Sequence, residues 1–177
     1  MENKIANLKY IFVDVDGTMT DGGIYYDETG NEIKKFCTKD AAGFFTAHVV
    51  GMKLYVLTGR ECQATTRRLT EMGFDGIFQD VKNKTDFLNN YIKTRGIKQD
   101  EICYIGDDLN DYEPMKLAGF RGCPADSCDE VINIADYVSR VNGGYGAVRD
   151  VISYILKERN QWSEAISKVY GARTENQ

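Results

Sequence analysis

The chain lacks several features that most often announce a function. It has one histidine, His48, and two prolines in 177 residues. One histidine cannot build a His-rich metal site. Its setting, Gly43-Phe44-Phe45-Thr46-Ala47-His48-Val49-Val50, predicts a structural helix residue. The five cysteines (Cys37, Cys62, Cys103, Cys123 and Cys128) are odd in number and form no Cys-x-x-Cys. That argues against a zinc site or a disulfide framework and for buried free thiols. No cluster of basic residues marks a nucleic-acid or membrane footprint, and the net charge is −5. No apolar run approaches a bilayer span, and Met1-Glu2-Asn3-Lys4 lacks a signal-peptide core. The chain therefore reads as cytoplasmic. There is no Pro/Ser-rich linker, internal repeat or low-complexity stretch, so residues 1–177 read as one domain.

What is present is ordinary for a globular core: 42% hydrophobic and 28% charged residues. Strand-like and helix-like runs alternate. Strands are expected at Lys9–Asp14, Lys53–Leu57, Gly76–Gln79, Glu101–Ile105, Phe120–Cys123 and Tyr137–Ser139. Helices are expected at Asp40–Val50, with Asp40 as cap, and at Glu61–Met72, Asn83–Arg95, Asn110–Ala118 and Gly146–Arg159. This βαβα order predicts an α/β fold: a Rossmann-like parallel sheet with helices on both faces. One insertion interrupts it. Residues 23–36 hold two β-rich runs, Gly23–Tyr26 and Glu32–Phe36, around a turn-forming Asp27-Glu28-Thr29-Gly30-Asn31, and predict a β-hairpin after the first strand. Residues 160–177 are polar and are expected to fray.

The most informative stretch is Asp14-Val15-Asp16-Gly17-Thr18, which follows the apolar Tyr10-Ile11-Phe12-Val13. Side chains alternate along a strand, so Asp14 and Asp16 share a face. Two carboxylates gathered at a buried strand end suit a divalent cation and an electrophile, one as nucleophile and ligand, the other as general acid/base. Alone, such a pair also describes two surface loop acids. Further polar residues follow later strands: Thr58 the second, Lys84 the third and Asp107 the fourth. In open α/β sheets the carboxyl ends of the strands form the ligand crevice. A hydroxyl, a lysine and clustered acids meeting there have complementary tasks in phosphoryl transfer. Taken singly, Thr58 reads as a helix-entry residue, Lys84 as a solvated surface lysine and Gly106–Asp111 as an acidic turn.

The set Asp14-x-Asp16-Gly17-Thr18, Thr58-Gly59, Lys84 and Gly106-Asp107-Asp108-x-x-Asp111 resembles the haloacid dehalogenase superfamily of aspartate-nucleophile phosphatases. The resemblance runs from about Leu8 to Arg159. Asp16–Gly23 with the hairpin, Leu57-Thr58-Gly59-Arg60, Asn83-Lys84, Tyr104–Leu109 and Gly143–Arg149 resemble its small capless branch. That branch includes phosphatases of 3-deoxy-D-manno-octulosonate 8-phosphate (KDO 8-phosphate) and a sister group acting on nine-carbon acids, KDN or N-acylneuraminate 9-phosphate. Arg60, where the sister group tends to carry Glu, favours the eight-carbon substrate. Asp80, Cys37-Thr38-Lys39 and the length of chain after Arg159 depart from the branch's pattern.

The resemblance implies Asp14 as nucleophile and magnesium ligand, and Asp16 as acid/base whose backbone carbonyl reaches the metal. It implies Thr58 and Gly59 as phosphate binders, Lys84 as the neutralising cation and Asp107 as the further Mg2+ ligand. Asp108 and Asp111 would support Lys84 or metal-bound water, and Arg60 would meet the substrate carboxylate; a surface salt bridge is the plainer role for Arg60. It also implies a homotetramer whose hairpins cover neighbouring sites. Two readings from other classes remain. A signalling receiver domain has similar parts but needs Asp where Thr58 stands. A non-catalytic assembly partner would carry a relic site, and an aryl-phosphate assay separates it from an enzyme.

Overall fold

The structure, a computed structural model, describes residues 4–171. Four apolar strands form its centre: β1 (Tyr10–Val13), β4 (Lys53–Leu57), β6 (Ile102–Ile105) and β7 (Phe120–Cys123). With β5 (Gly76–Phe78) and β8 (Tyr137–Val138) they make a six-stranded sheet of order β5-β4-β1-β6-β7-β8. Every pairing in it is parallel. β1 lies centrally, with Val13 opposite Val56 on one side and Ile105 on the other.

Period-two alternation divides the core into two layers. Ile11, Val13, Leu54, Val56, Cys103 and Ile105 face α1 (Thr38–Val49), α2 (Gln63–Glu71), α6 (Ala147–Glu158) and α7 (Trp162–Tyr170). Phe12, Tyr55, Leu57, Ile102 and Tyr104 face α3 (Lys84–Arg95), α4 (Leu109–Met115) and α5 (Asp129–Ile134). Helices thus cover both faces, as the alternating sequence predicts. Tyr55 and Tyr91 meet edge-on, and Phe12 stacks on Tyr55 at 5.0 Å between centroids, giving the second layer an aromatic centre.

Four expectations change. The hairpin forms, but its paired strands are only Tyr25–Tyr26 (β2) and Glu32–Ile33 (β3). Phe36 leaves the ribbon and packs against the main core. Asp40 does not cap its own helix, which begins at Thr38 after Cys37. Its carboxylate accepts instead from the backbone N–H of Arg149 at 2.9 Å, serving one of the unpaired donors in the first turn of α6. The polar stretch after Arg159 is helical over Trp162–Tyr170 and buries Ala165. Residues 172–177 of that stretch lie outside the described residues. The six-residue α5 is an element the sequence patterning does not predict. All five cysteines are free thiols. Among the described residues no helix is long and apolar enough to cross a membrane.

Candidate active site

The carboxyl ends of β1, β4 and β6 open onto a cleft of about 280 Å³ lined by Asp14, Asp16, Thr58, Arg60, Asp107 and Asp108. An adjoining cavity of about 350 Å³ runs from Gly59 past Lys84 to Asn110. β1 delivers Asp14 to the cleft floor. Its backbone N–H donates to Ile105 at 2.9 Å, extending the parallel ladder by one residue. Asp14 is 2% exposed.

Lys84 enters from the first turn of α3, whose start is fixed by the Asn83 side chain accepting from Asp86 N–H. Its ammonium lies 2.8 Å from Asp14 and 2.7 Å from Asp111. Asp111 is fully buried. Its Oδ1 also accepts from the Tyr104 hydroxyl at 2.9 Å, and its Oδ2 accepts from Asp107 N–H at 3.2 Å. Gly106 makes room for this carboxylate: a Cβ there would sit 2.5 Å from it. Asp111 therefore orients Lys84 and the strand end at once.

One lysine faces a surplus of acid. Oxygen atoms of Asp14, Asp107 and Asp111 lie within 4.8 Å of one another. Burial, then the Asp111 charge, pushes Asp14 well above the ordinary carboxylate range against the pull of Lys84. Burial pushes Asp107 up to about 7, with Asp111 adding and the Thr18 hydrogen bond opposing. Burial alone would lower Lys84, but the Asp111 and Asp14 charges outweigh it and hold the ammonium protonated. An oxygen-only donor set with unneutralised charge fits a hard divalent cation such as Mg2+. Both Asp111 oxygens are already engaged, so Asp14 and Asp107 are the carboxylates free to hold it.

The loop after β1 is shaped around this cluster. Thr18 donates to Asp107 Oδ1 at 2.7 Å. Gly17 has φ +89°, and a Cβ on it would lie 2.0 Å from Asp107 Oδ2. Gly143 closes the other side, its Cα so near the Gly17 carbonyl that any side chain would collide with it. Gly17 is dictated by close approach to Asp107, and Gly143 by close approach to the backbone of the loop that carries Gly17.

The structure thus brings together Asp14, Thr58, Gly59 and Asp107 from strand ends, Lys84 from the first turn of α3 and Asp111 from α4. Asp108 lines the cleft and accepts from Leu109 N–H at the start of α4. Asp16 stands apart from the carboxylate cluster. Its side chain pairs with Lys34 of the hairpin. Arg60 is engaged too: its Nη2 donates to Glu32 at 2.7 Å and to the Tyr26 hydroxyl at 3.4 Å. Glu32 and Lys34 were not singled out from sequence. The available signal was two opposite charges at i and i+2, which share one face of a strand.

Comparison with known proteins identifies the family. Residues 77–152 match the model of the haloacid dehalogenase-like hydrolases. The chain is 32% identical to the 3-deoxy-D-manno-octulosonate 8-phosphate phosphatase of Escherichia coli K12, over 92% of this chain and 86% of that protein. The Haemophilus influenzae phosphatase of the same name is 31% identical over 92% and 91%. The crystal structure of the Moraxella catarrhalis enzyme, in complex with magnesium ion, phosphate ion and KDO, superposes with a TM-score of 0.89. It is 34% identical and covers 93% of this chain and 95% of that one. The chain belongs to the haloacid dehalogenase superfamily, in its capless family of 3-deoxy-D-manno-octulosonate 8-phosphate phosphatases.

Proposed function

We propose that this protein is a magnesium-dependent phosphatase converting KDO 8-phosphate to KDO and phosphate in lipopolysaccharide biosynthesis. The observation that carries the reading is the buried Asp14 carboxylate, ion-paired to Lys84 on the floor of a strand-end cleft. Asp14, Asp107 and the Asp16 carbonyl would hold Mg2+, which would offset the negative charge of an anionic phosphoryl group. Asp14 attacks phosphorus, and the bond from phosphorus to the sugar oxygen breaks. Asp16 gives that oxygen its proton, so the sugar leaves as an alcohol. An aspartyl-phosphate remains on Asp14. Asp16 then takes a proton from water, which attacks phosphorus and frees Asp14. The Thr58 hydroxyl and the backbone at Gly59 orient the phosphoryl oxygens, Lys84 offsets their charge, and Asp111 and Asp108 hold the surrounding groups in place. Arg60, at the cleft mouth, meets the sugar carboxylate. The five free thiols fit a reducing compartment, and we place the protein in the cytoplasm.

Phosphate release from a panel of sugar phosphates, with and without chelator, tests the reading. KDO 8-phosphate should be preferred and chelation should abolish turnover. A preference for nine-carbon acid 9-phosphates would move the protein to the sister activity, and full activity after exhaustive chelation would end the magnesium assignment. Asp14→Asn should abolish trapped phosphoenzyme. Asp16→Asn should retain the nucleophile and lose about 10²–10⁴-fold in turnover. Label trapped on another residue contradicts the roles.

The same family reading supports a homotetramer. Ile24, Tyr25, Tyr26 and Ile33 are all about half exposed on a ribbon of two-residue strands, which cannot bury them alone. Hairpins of several subunits packed together would cover that surface and roof the clefts. Removing the tip, Asp27–Asn31, should cost assembly and sugar-phosphate turnover together. A fully active monomer by light scattering would refute the arrangement.

A further inference from the structure

Lys34 is unusually placed. Its side chain is 2% exposed, yet it belongs to the same small ribbon on which Ile33 is 52% exposed. A lysine is rarely buried without partners, because desolvating the ammonium is costly. Here the partners are two carboxylates, Asp16 and Glu32, the latter at 2.7 Å through Oε1. Glu32 then passes the contact on, its Oε2 accepting from Arg60. The result is a string of alternating charge, Asp16–Lys34–Glu32–Arg60, whose two ends both line the cleft. Its two middle members come from the hairpin and its two ends from the main fold. Among the described residues Lys34 is the cation paired with Asp16, and Glu32 is the carboxylate paired with Arg60.

We propose that the hairpin braces the active site of its own subunit, Lys34 positioning the Asp16 carboxylate and Glu32 positioning the Arg60 guanidinium. Asp16 follows the end of β1, its side chain is 26% exposed, and among the described residues Lys34 is the side chain that holds its carboxylate. Glu32 engages one terminal nitrogen of Arg60 and limits the directions from which a second carboxylate can meet the guanidinium. The inference rests on the phosphatase reading and on Arg60 as the carboxylate-recognising residue. It gives the ribbon a task within one subunit, separate from any roof over a neighbour.

The test uses the full-length enzyme with magnesium and two substrates. KDO 8-phosphate carries a carboxylate and a poor leaving group. Para-nitrophenyl phosphate carries no carboxylate and releases a nitrophenolate that leaves without being protonated. Glu32→Gln should raise the KM for KDO 8-phosphate about tenfold relative to that for the aryl ester. Lys34→Met should lower kcat on KDO 8-phosphate about tenfold more than it lowers the pre-steady-state burst of nitrophenolate. Lys34→Arg, which keeps a cation of similar reach, should recover part of that loss. A merely structural role would lower both substrates alike, with no rescue. Equal losses overturn the Lys34 assignment. An unchanged or lower KM in Glu32→Gln overturns the Glu32 assignment, provided Arg60→Ala raises it. If Arg60→Ala leaves substrate preference unchanged, the reading of Arg60 itself fails and the Glu32 half falls with it.

Discussion

Replacing Lys84 by methionine isolates the electrostatic design of the site. The ammonium is 3% exposed and pairs with Asp14 and Asp111, which are 4% and 0% exposed as side chains. Methionine fills similar volume but leaves two buried carboxylates facing each other without their cation. Removing one partner of a buried pair costs about 3–5 kcal/mol, because the remaining charge stays desolvated. Asp14 already lies above the ordinary carboxylate range from burial and the Asp111 charge, and the substitution pushes it further the same way. A carboxyl raised in the folded state makes that state bind more protons than the unfolded chain. Stability then falls as pH rises, so the deficit of Lys84→Met should widen toward neutral pH and shrink in acid. Urea unfolding of the magnesium-free protein across pH measures this, and Lys84→Met with Asp111→Asn should recover much of the loss. A deficit below about 1 kcal/mol at neutral pH, of the size expected for an exposed pair, would refute the buried-triad account. So would a deficit that grows in acid.

The legible parts of the site were those governed by backbone periodicity. Asp14, Thr58 and Asp107 follow apolar strands, and in a parallel sheet strand ends converge on one rim whatever the loops do. Lys84 was legible because it opens a helix entered from the same rim. What was not legible depends on which distant groups meet. Asp40 has a helix-capping residue type at a plausible start, yet it serves α6 through Arg149, 109 positions away. Arg60 was read from a local motif, whereas its present partner is set by how the hairpin folds back. The helix α7 did carry a signal. Trp162, Ala165, Ile166 and Val169 stand at i, i+3, i+4 and i+7 and face inward. Nine residues are too short for that pattern to outweigh a polar composition until α1 and α6 supply the surface it packs on.

Two further perturbations separate the acidic centre from the scaffold that carries it. Gly17→Ala would place a methyl 2.0 Å from Asp107 Oδ2 at φ +89°. It should cost about 1–2 kcal/mol of backbone strain and weaken magnesium binding about tenfold or more by displacing Asp107, as read by calorimetric titration. Unchanged affinity would mean that Asp107 does not hold the ion. Asp40→Asn probes the joint between α1 and α6 instead. The Asp40 carboxyl is 2% exposed, its Oδ2 has no hydrogen-bond partner among the described residues, and burial raises it from 3.8 to about 6 against the opposing Arg149 bond. Between those two values the folded chain keeps a proton that the unfolded chain has lost, so this carboxyl removes stability as pH rises through the window. A gap of that size corresponds to about 3 kcal/mol. Asparagine keeps the oxygen that accepts from Arg149 N–H and cannot ionise. The stability of Asp40→Asn relative to the parent should therefore rise by about 2.4 kcal/mol, most of that gap, from about pH 4 to about pH 7, by chemical denaturation at each pH. A difference that stays flat across that range would show that Asp40 reaches water in the folded protein and that the joint is not closed.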